Sequence, residues 1–146
     1  MRLDTVFKIS GSAMKAQMMR IEVLSSNIAN VNVTRTPEGG PYRRKEVLFE
    51  ASPVGGENFA DMLKSASDAS AVGVKVTEVM EDPSLFKRKY DPNHPDAGPD
   101  GYVLYPNVNI ISEIVNVSEA SRAYEANISV LLSTKNMIAK TFELGR

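Results

Sequence analysis

Cysteine and tryptophan are absent from this chain of 146 residues, and histidine occurs once. Without thiols there are no disulfides, no zinc–thiolate sites and no cysteine nucleophile. With a single imidazole almost no catalytic triad can be assembled. No run approaches the roughly 18 apolar residues of a membrane-spanning helix, so membrane insertion is not expected. The N-terminus also lacks the basic-then-apolar pattern and cleavage site of a signal peptide, which taken alone points to the cytoplasm. Charge of one sign is missing too, because the net charge is −1. The one compact basic cluster, Arg43-Arg44-Lys45, is too small for the broad positive face that duplex nucleic acid needs. It reads as a solvated strand or loop edge.

What is present is soluble and of single-domain size, with 42% hydrophobic and 24% charged residues. Its organising stretch is 109–144, which contains neither Gly nor Pro over 36 residues. Alternating steps of three and four pick out Ile114, Val117, Ser121, Tyr124, Ile128, Leu131, Lys135, Ile138 and Phe142, an apolar seam with two polar interruptions. A helix of that length spans roughly 54 Å, more than one small core can cover. Ser, Thr and Asn hold 11 of the 36 positions and compete with the helical backbone. The helix is therefore expected to draw its stability from a partner that covers its apolar face. Asn109 is the expected N-cap.

A second helix is expected over the first 31 residues, capped by Asp4 or Thr5, with Phe7, Gly11, Met14, Met18, Ile21, Ser25 and Ile28 on the same alternation. Alone it reads as an amphipathic helix on a globular core, and the matching seam at the other end shifts that balance. The fold class is then mainly α with a small β part: two long terminal helices pairing as an antiparallel coiled coil around a small irregular middle. Its parts are residues 1–33, a middle region 34–108 and residues 109–146. Within the middle, strands are expected at 44–49, 72–80 and 86–90, turn chemistry at 34–42, and a Pro- and Gly-rich loop at 91–101. Residues 51–71 are Ala-, Ser- and Gly-rich, with a short helix at 58–67 and the weakest constraint.

Little here suggests chemistry. His94 lies in Asp91-Pro92-Asn93-His94-Pro95-Asp96, a spacing that fits neither an EF-hand nor a zinc helix motif. A rigid surface turn is the simpler account. Glu81 and Asp82 are adjacent, so on a strand they point to opposite faces and cannot oppose one another. No catalytic residue, metal or cofactor is assigned.

Ser25-Ser26-Asn27-Ile28-Ala29-Asn30 is followed by Thr34-Arg35-Thr36-Pro37-Glu38-Gly39-Gly40-Pro41-Tyr42-Arg43. Together they resemble the flagellar rod and hook axial proteins, with Ile28 in place of their usual Leu, and the Pro-Glu-Gly-Gly-Pro-Tyr-Arg version resembles the proximal rod members. Further similarity covers Gly73-Val74-Lys75-Val76, Tyr90-Asp91-Pro92-Asn93-His94-Pro95, Gly101-Tyr102-Val103, Pro106-Asn107-Val108-Asn109 and Ala120-Ser121-Arg122-Ala123-Tyr124-Glu125-Ala126-Asn127. Residues 51–71 match least. On this resemblance the motif residues are Asn27, Ala29, Asn30, Gly39, Pro41, Tyr42, Pro106, Asn107, Ser121, Arg122, Tyr124 and Asn127. The packing and assembly residues are Phe7, Met14, Met18, Ile21, Ile28, Ile114, Tyr124, Ile128, Leu131 and Ile138.

The resemblance implies a structural subunit whose terminal helices form the wall of a hollow, torque-transmitting rod in the periplasm, with the middle facing outward. Its partners would be other rod proteins and the basal-body ring, and during secretion the flagellar type III export apparatus, which needs no cleavable signal. Another rod or hook member, a cytoplasmic helical adaptor or chaperone, and an enzyme centred on His94 are the alternatives.

Overall fold

The computed structural model describes residues 3–53 and 71–144. Helix α1 runs Leu3–Ala29 and helix α2 runs Ile110–Leu144. Between them come β1 (Lys45–Pro53), β2 (Val72–Glu81), β3 (Lys87–Tyr90) and β4 (Tyr102–Tyr105). The strands form two separate two-stranded sheets, β1 with β2 and β3 with β4. The chain is thus mainly helical with a small β part. The short helix expected at 58–67 lies outside the described residues.

Asn109 caps α2: its Oδ1 accepts the N–H of Ile111 at 3.1 Å and its carbonyl that of Glu113 at 3.0 Å. At the other end of the chain the expected cap is displaced. α1 already includes Asp4 and Thr5, and Asp4 instead pairs with Lys8 one turn on, at 2.9 Å. α1 ends where Asn30 turns its amide back, its Nδ2 donating at 2.8 Å to the Ser26 carbonyl, which also accepts the Asn30 N–H at 3.1 Å.

Strand β4 was read from the sequence only as a motif. It forms because β3 pairs with it antiparallel, Lys87 opposite Tyr105 and Tyr90 opposite Tyr102, around an inward Val103. The loop between them closes through Asp91 N–H to Gly101 O and Gly98 N–H to Tyr102 O, both at 3.0 Å. His94 belongs to this turn: its Nδ1 accepts the N–H of Asp96 at 3.1 Å and its ring meets Tyr105 edge-on. Gly101 has φ +74°, and a Cβ there would stand 2.8 Å from Cε2 of Tyr90.

Spatially the chain divides into two compact units. One comprises Met1–Met19, Phe49–Thr77 and Ala120–Arg146, the other Arg20–Leu48 and Glu78–Glu119. In the first, Ser12 on α1 donates to the Ile9 carbonyl at 2.7 Å and accepts the Val74 N–H of β2 at 3.1 Å. The second holds Val103, Pro106 and Val108, all fully buried, together with the polar cluster described below.

The faces of the helices are more specific than their apolar spacing. On α2 the inward positions are Glu113, Val117, Ala120, Tyr124, Asn127, Leu131, Thr134 and Ile138, of which Glu113, Ala120 and Thr134 are fully buried. On α1 the fully buried residues are Ser10, Ala16, Leu24 and Asn27. Every second member of the α2 seam is shared, but Ile114 and Lys135 give way to their neighbours Glu113 and Thr134. Small residues, and polar ones bonded to the backbone of their own helix, are among the most buried. Thr134 Oγ1 donates to Val130 O and Asn127 Nδ2 to Ala123 O, each at 2.8 Å.

Two glycine substitutions should therefore act in opposite directions. Gly101→Ala combines a left-handed backbone with a clash and should lower stability by about 1–3 kcal/mol in urea denaturation. Gly11→Ala, mid-helix with nothing within 4 Å of its Cβ, should raise it by about 0.5–1 kcal/mol in the same assay.

Candidate functional site: a polar clamp at the end of the first helix

Asn27 is completely buried, at 0% exposure, and a primary amide in that position costs stability unless its bonding capacity is filled. It is filled. Nδ2 donates to the Lys45 carbonyl at 2.8 Å and to Oε2 of Glu113 at 3.0 Å. Oδ1 accepts the Lys45 N–H at 2.9 Å and the Tyr42 hydroxyl at 3.0 Å. One side chain thus ties α1 to the loop at 30–44, the start of β1 and the first turn of α2.

Glu113 is 1% exposed, and its other oxygen, Oε1, accepts Nε of Arg44 at 2.8 Å. Arg44 is 19% exposed and also reaches Glu46 at 3.3 Å and Asp82 at 3.5 Å. Burial works to lower the Arg44 pKa, but the hydrogen bonds and charges of Glu113 and Glu46 together outweigh it and the net shift is upward. The guanidinium therefore stays charged throughout. Asn107 completes the cluster: Oδ1 accepts the Arg44 N–H at 2.9 Å, and Nδ2 donates to Asp82 O at 3.2 Å and Ser84 Oγ at 2.8 Å. Arg43 donates to the Asp82 carbonyl at 3.0 Å and stacks its guanidinium 4.4 Å from the Phe86 ring centre.

The basic cluster 43–45 is therefore not a solvated edge, which corrects the sequence reading. Arg44 neutralises a buried carboxylate and Arg43 covers an aromatic ring. Glu113 carried no signal beyond its favourable place at a helix N-terminus, and Arg44 none beyond its charge. Their pairing, 69 residues apart, is visible only in three dimensions.

Of the motif residues, the clamp brings together Asn27, Tyr42 and Asn107, with Pro106 buried beside them in sequence. Asn30 serves the helix end, Gly39 has φ +92° in the turn closed by Thr36 and Gly40, Pro41 is half-buried and Ala29 is exposed. Ser121, Arg122, Tyr124 and Asn127 lie further along α2 and take no part. Of the seam residues, Met14, Ile21, Ile28, Tyr124, Ile128, Leu131 and Ile138 are half-buried, whereas Phe7, Met18 and Ile114 are exposed. Among the described residues no three His, Cys, Asp or Glu side chains converge as metal ligands.

Comparison with known proteins gives two family matches. The family described as "Flagella basal body rod protein" matches residues 7–35, and "Flagellar basal body rod FlgEFG protein C-terminal" matches residues 100–144. The flagellar basal-body rod protein FlgC of Escherichia coli O6:H1 is 40% identical over 146 residues, all of both chains. The protein of that name from Bacillus subtilis is 41% identical over 145 residues, covering 94% of this chain and 95% of its own. The one from Borreliella burgdorferi is 42% identical, covering 94% and 93%.

Asn27→Ala would strand Glu113 Oε2 and both backbone groups of Lys45, and should cost about 3 kcal/mol in chemical denaturation. The clamp also gives a pH dependence. Ser84, through its N–H at 2.9 Å and its hydroxyl, lowers the Asp82 pKa, with Arg44 assisting against burial. A depressed carboxylate contributes stability above its unfolded pKa of about 4, lost as pH falls through the lower folded value. Stability measured from pH 6 down to pH 2 should therefore fall less steeply in Asp82→Asn than in the native chain.

Proposed function

The chain belongs to the flagellar basal-body rod protein family, and from that membership we propose a structural subunit of the rod whose two long helices pair antiparallel as its inner part. It is a component of the basal body associated with other rod components, and its role is mechanical rather than enzymatic. Residues 1–33 and 109–146 form the inner domain on this reading, and 34–108 the outward middle.

Antiparallel pairing is supported by which residues meet. Asn27, near the end of α1, bonds Glu113, in the first turn of α2. The first 19 residues fall in the same unit as residues 120–146. An inner face of small and self-bonded residues suits close helix approach.

The observation that carries assembly is the other side of α2. Ile111 is 76% exposed and Ile114 54% exposed, with Val115, Leu132 and Met137 also at the surface, and Phe142, which continues the inward stripe past Ile138, is left 76% exposed at the helix end. Apolar side chains exposed along a 35-residue helix mark a surface that a partner covers. Neighbouring rod subunits are the proposed cover. Contact with the basal-body ring, and passage through the type III export apparatus before folding is complete, belong to the same reading. A subunit whose outer helix face is covered only after assembly suits a route that demands an unfolded chain.

Ile114→Asp tests this directly. The side chain is already exposed, so the isolated protein should keep its helicity and melt within about 5 °C of native. Motility and recovery in purified basal bodies should be lost. Normal motility of this variant would contradict the reading.

A further inference from the structure

We propose that Glu113 is the register-setting residue of the subunit: by bonding Asn27 on α1 and Arg44 in the loop just before β1, it fixes how far along α1 helix α2 sits. This rests on the antiparallel pairing proposed above and deepens it.

The need for such a residue follows from the repeat. The inward positions of α2 recur every seven residues, as Val117, Tyr124, Leu131 and Ile138 in one row and Glu113, Ala120, Asn127 and Thr134 in the other. A slide by one heptad would keep apolar side chains in the first row and mostly polar or small ones in the second, so the pattern alone discriminates weakly between registers. Directional bonds between elements would discriminate, but the other polar members do not supply them. Asn127 bonds Ala123 and Thr134 bonds Val130, both within α2. Glu113 differs from them in two respects. Among the described residues it is the only buried charged side chain, and both its oxygens bond other elements.

A slide of seven residues moves the helix by about 10 Å. It would leave Glu113 without Asn27 and Arg44, a buried charge with no partner, which is strongly disfavoured. The pair therefore acts chiefly by penalising wrong registers. A buried ion pair replaced on both sides by apolar groups often costs the native state little. Register matters to assembly because it decides which exposed side chains of the two helices stand side by side on the subunit's surface.

The test is the double variant Arg44→Met/Glu113→Met in the full chain. It would carry nitroxide labels at Glu22→Cys and Ser118→Cys, both exposed positions, in a protein with no other cysteine. The native pair of labels should give a single narrow distance by pulsed electron–electron spectroscopy. The double variant should keep its helicity by circular dichroism and melt within about 5 °C of native, yet give two or more resolved distances in place of one. One narrow distance at the native value in the double variant would overturn the proposal while leaving the pairing intact. A larger fall in melting temperature, or loss of helicity, would also overturn it, by making the pair a source of stability. A broad distribution in the native register control would overturn the pairing itself.

Discussion

Everything at the junction of the two helices depends on the burial of one amide and one carboxylate. Asn27 and Glu113 are withdrawn from water, and the chain meets the cost by bringing four segments to them: the end of α1, Tyr42, the start of β1 and the first turn of α2. A turn with glycines at positive φ delivers Tyr42, and Asn107 holds the Arg44 backbone. Remove Asn27, Arg44 or Asn107 and a polar group inside the protein loses a bond that nothing else supplies. Local conformation in the middle region is thereby coupled to the placement of helices far away in sequence.

Away from the clamp the helices are built differently. Ser10, Ala16, Ala120 and Thr134 are among their most buried positions, with Val117, Tyr124, Leu131 and Ile138 half-buried, while Ile111, Ile114, Val115, Leu132 and Met137 are exposed. A self-contained domain would reverse that distribution. On the proposed reading the polar clamp sets the helix register, and neighbouring subunits cover the exposed Ile111, Ile114, Leu132 and Phe142.

Much of the secondary structure was legible in the sequence. The absence of Gly and Pro over 109–144 and the Asn109 cap located α2 to within a residue, and alternating valines located β2. Rotation of the helices was not legible, because a hydrophobic seam marks the apolar face without saying whether this chain or another covers it. Ile114 looked internal for that reason. Glu113 and Arg44 were hidden for a different one: a charged side chain reads as solvent-facing unless its partner is known, and here the partner is 69 residues distant. Asn27 was legible as a motif residue, but the groups its amide bonds were not. The structure gives the two motif amides different work, with Asn30 at the helix end and Asn27 in the clamp.

The central claim is that α2 is half covered within the chain and completed by neighbouring subunits. Hydrogen exchange, read by mass spectrometry over residues 110–144 in the isolated protein and in purified basal bodies, tests it most directly. The account predicts slow exchange near Glu113 in both samples, with fast exchange over the remainder of α2 in the isolated protein becoming slow in the assembled rod. Equal, complete protection of α2 in the dilute monomer and in the rod would contradict it.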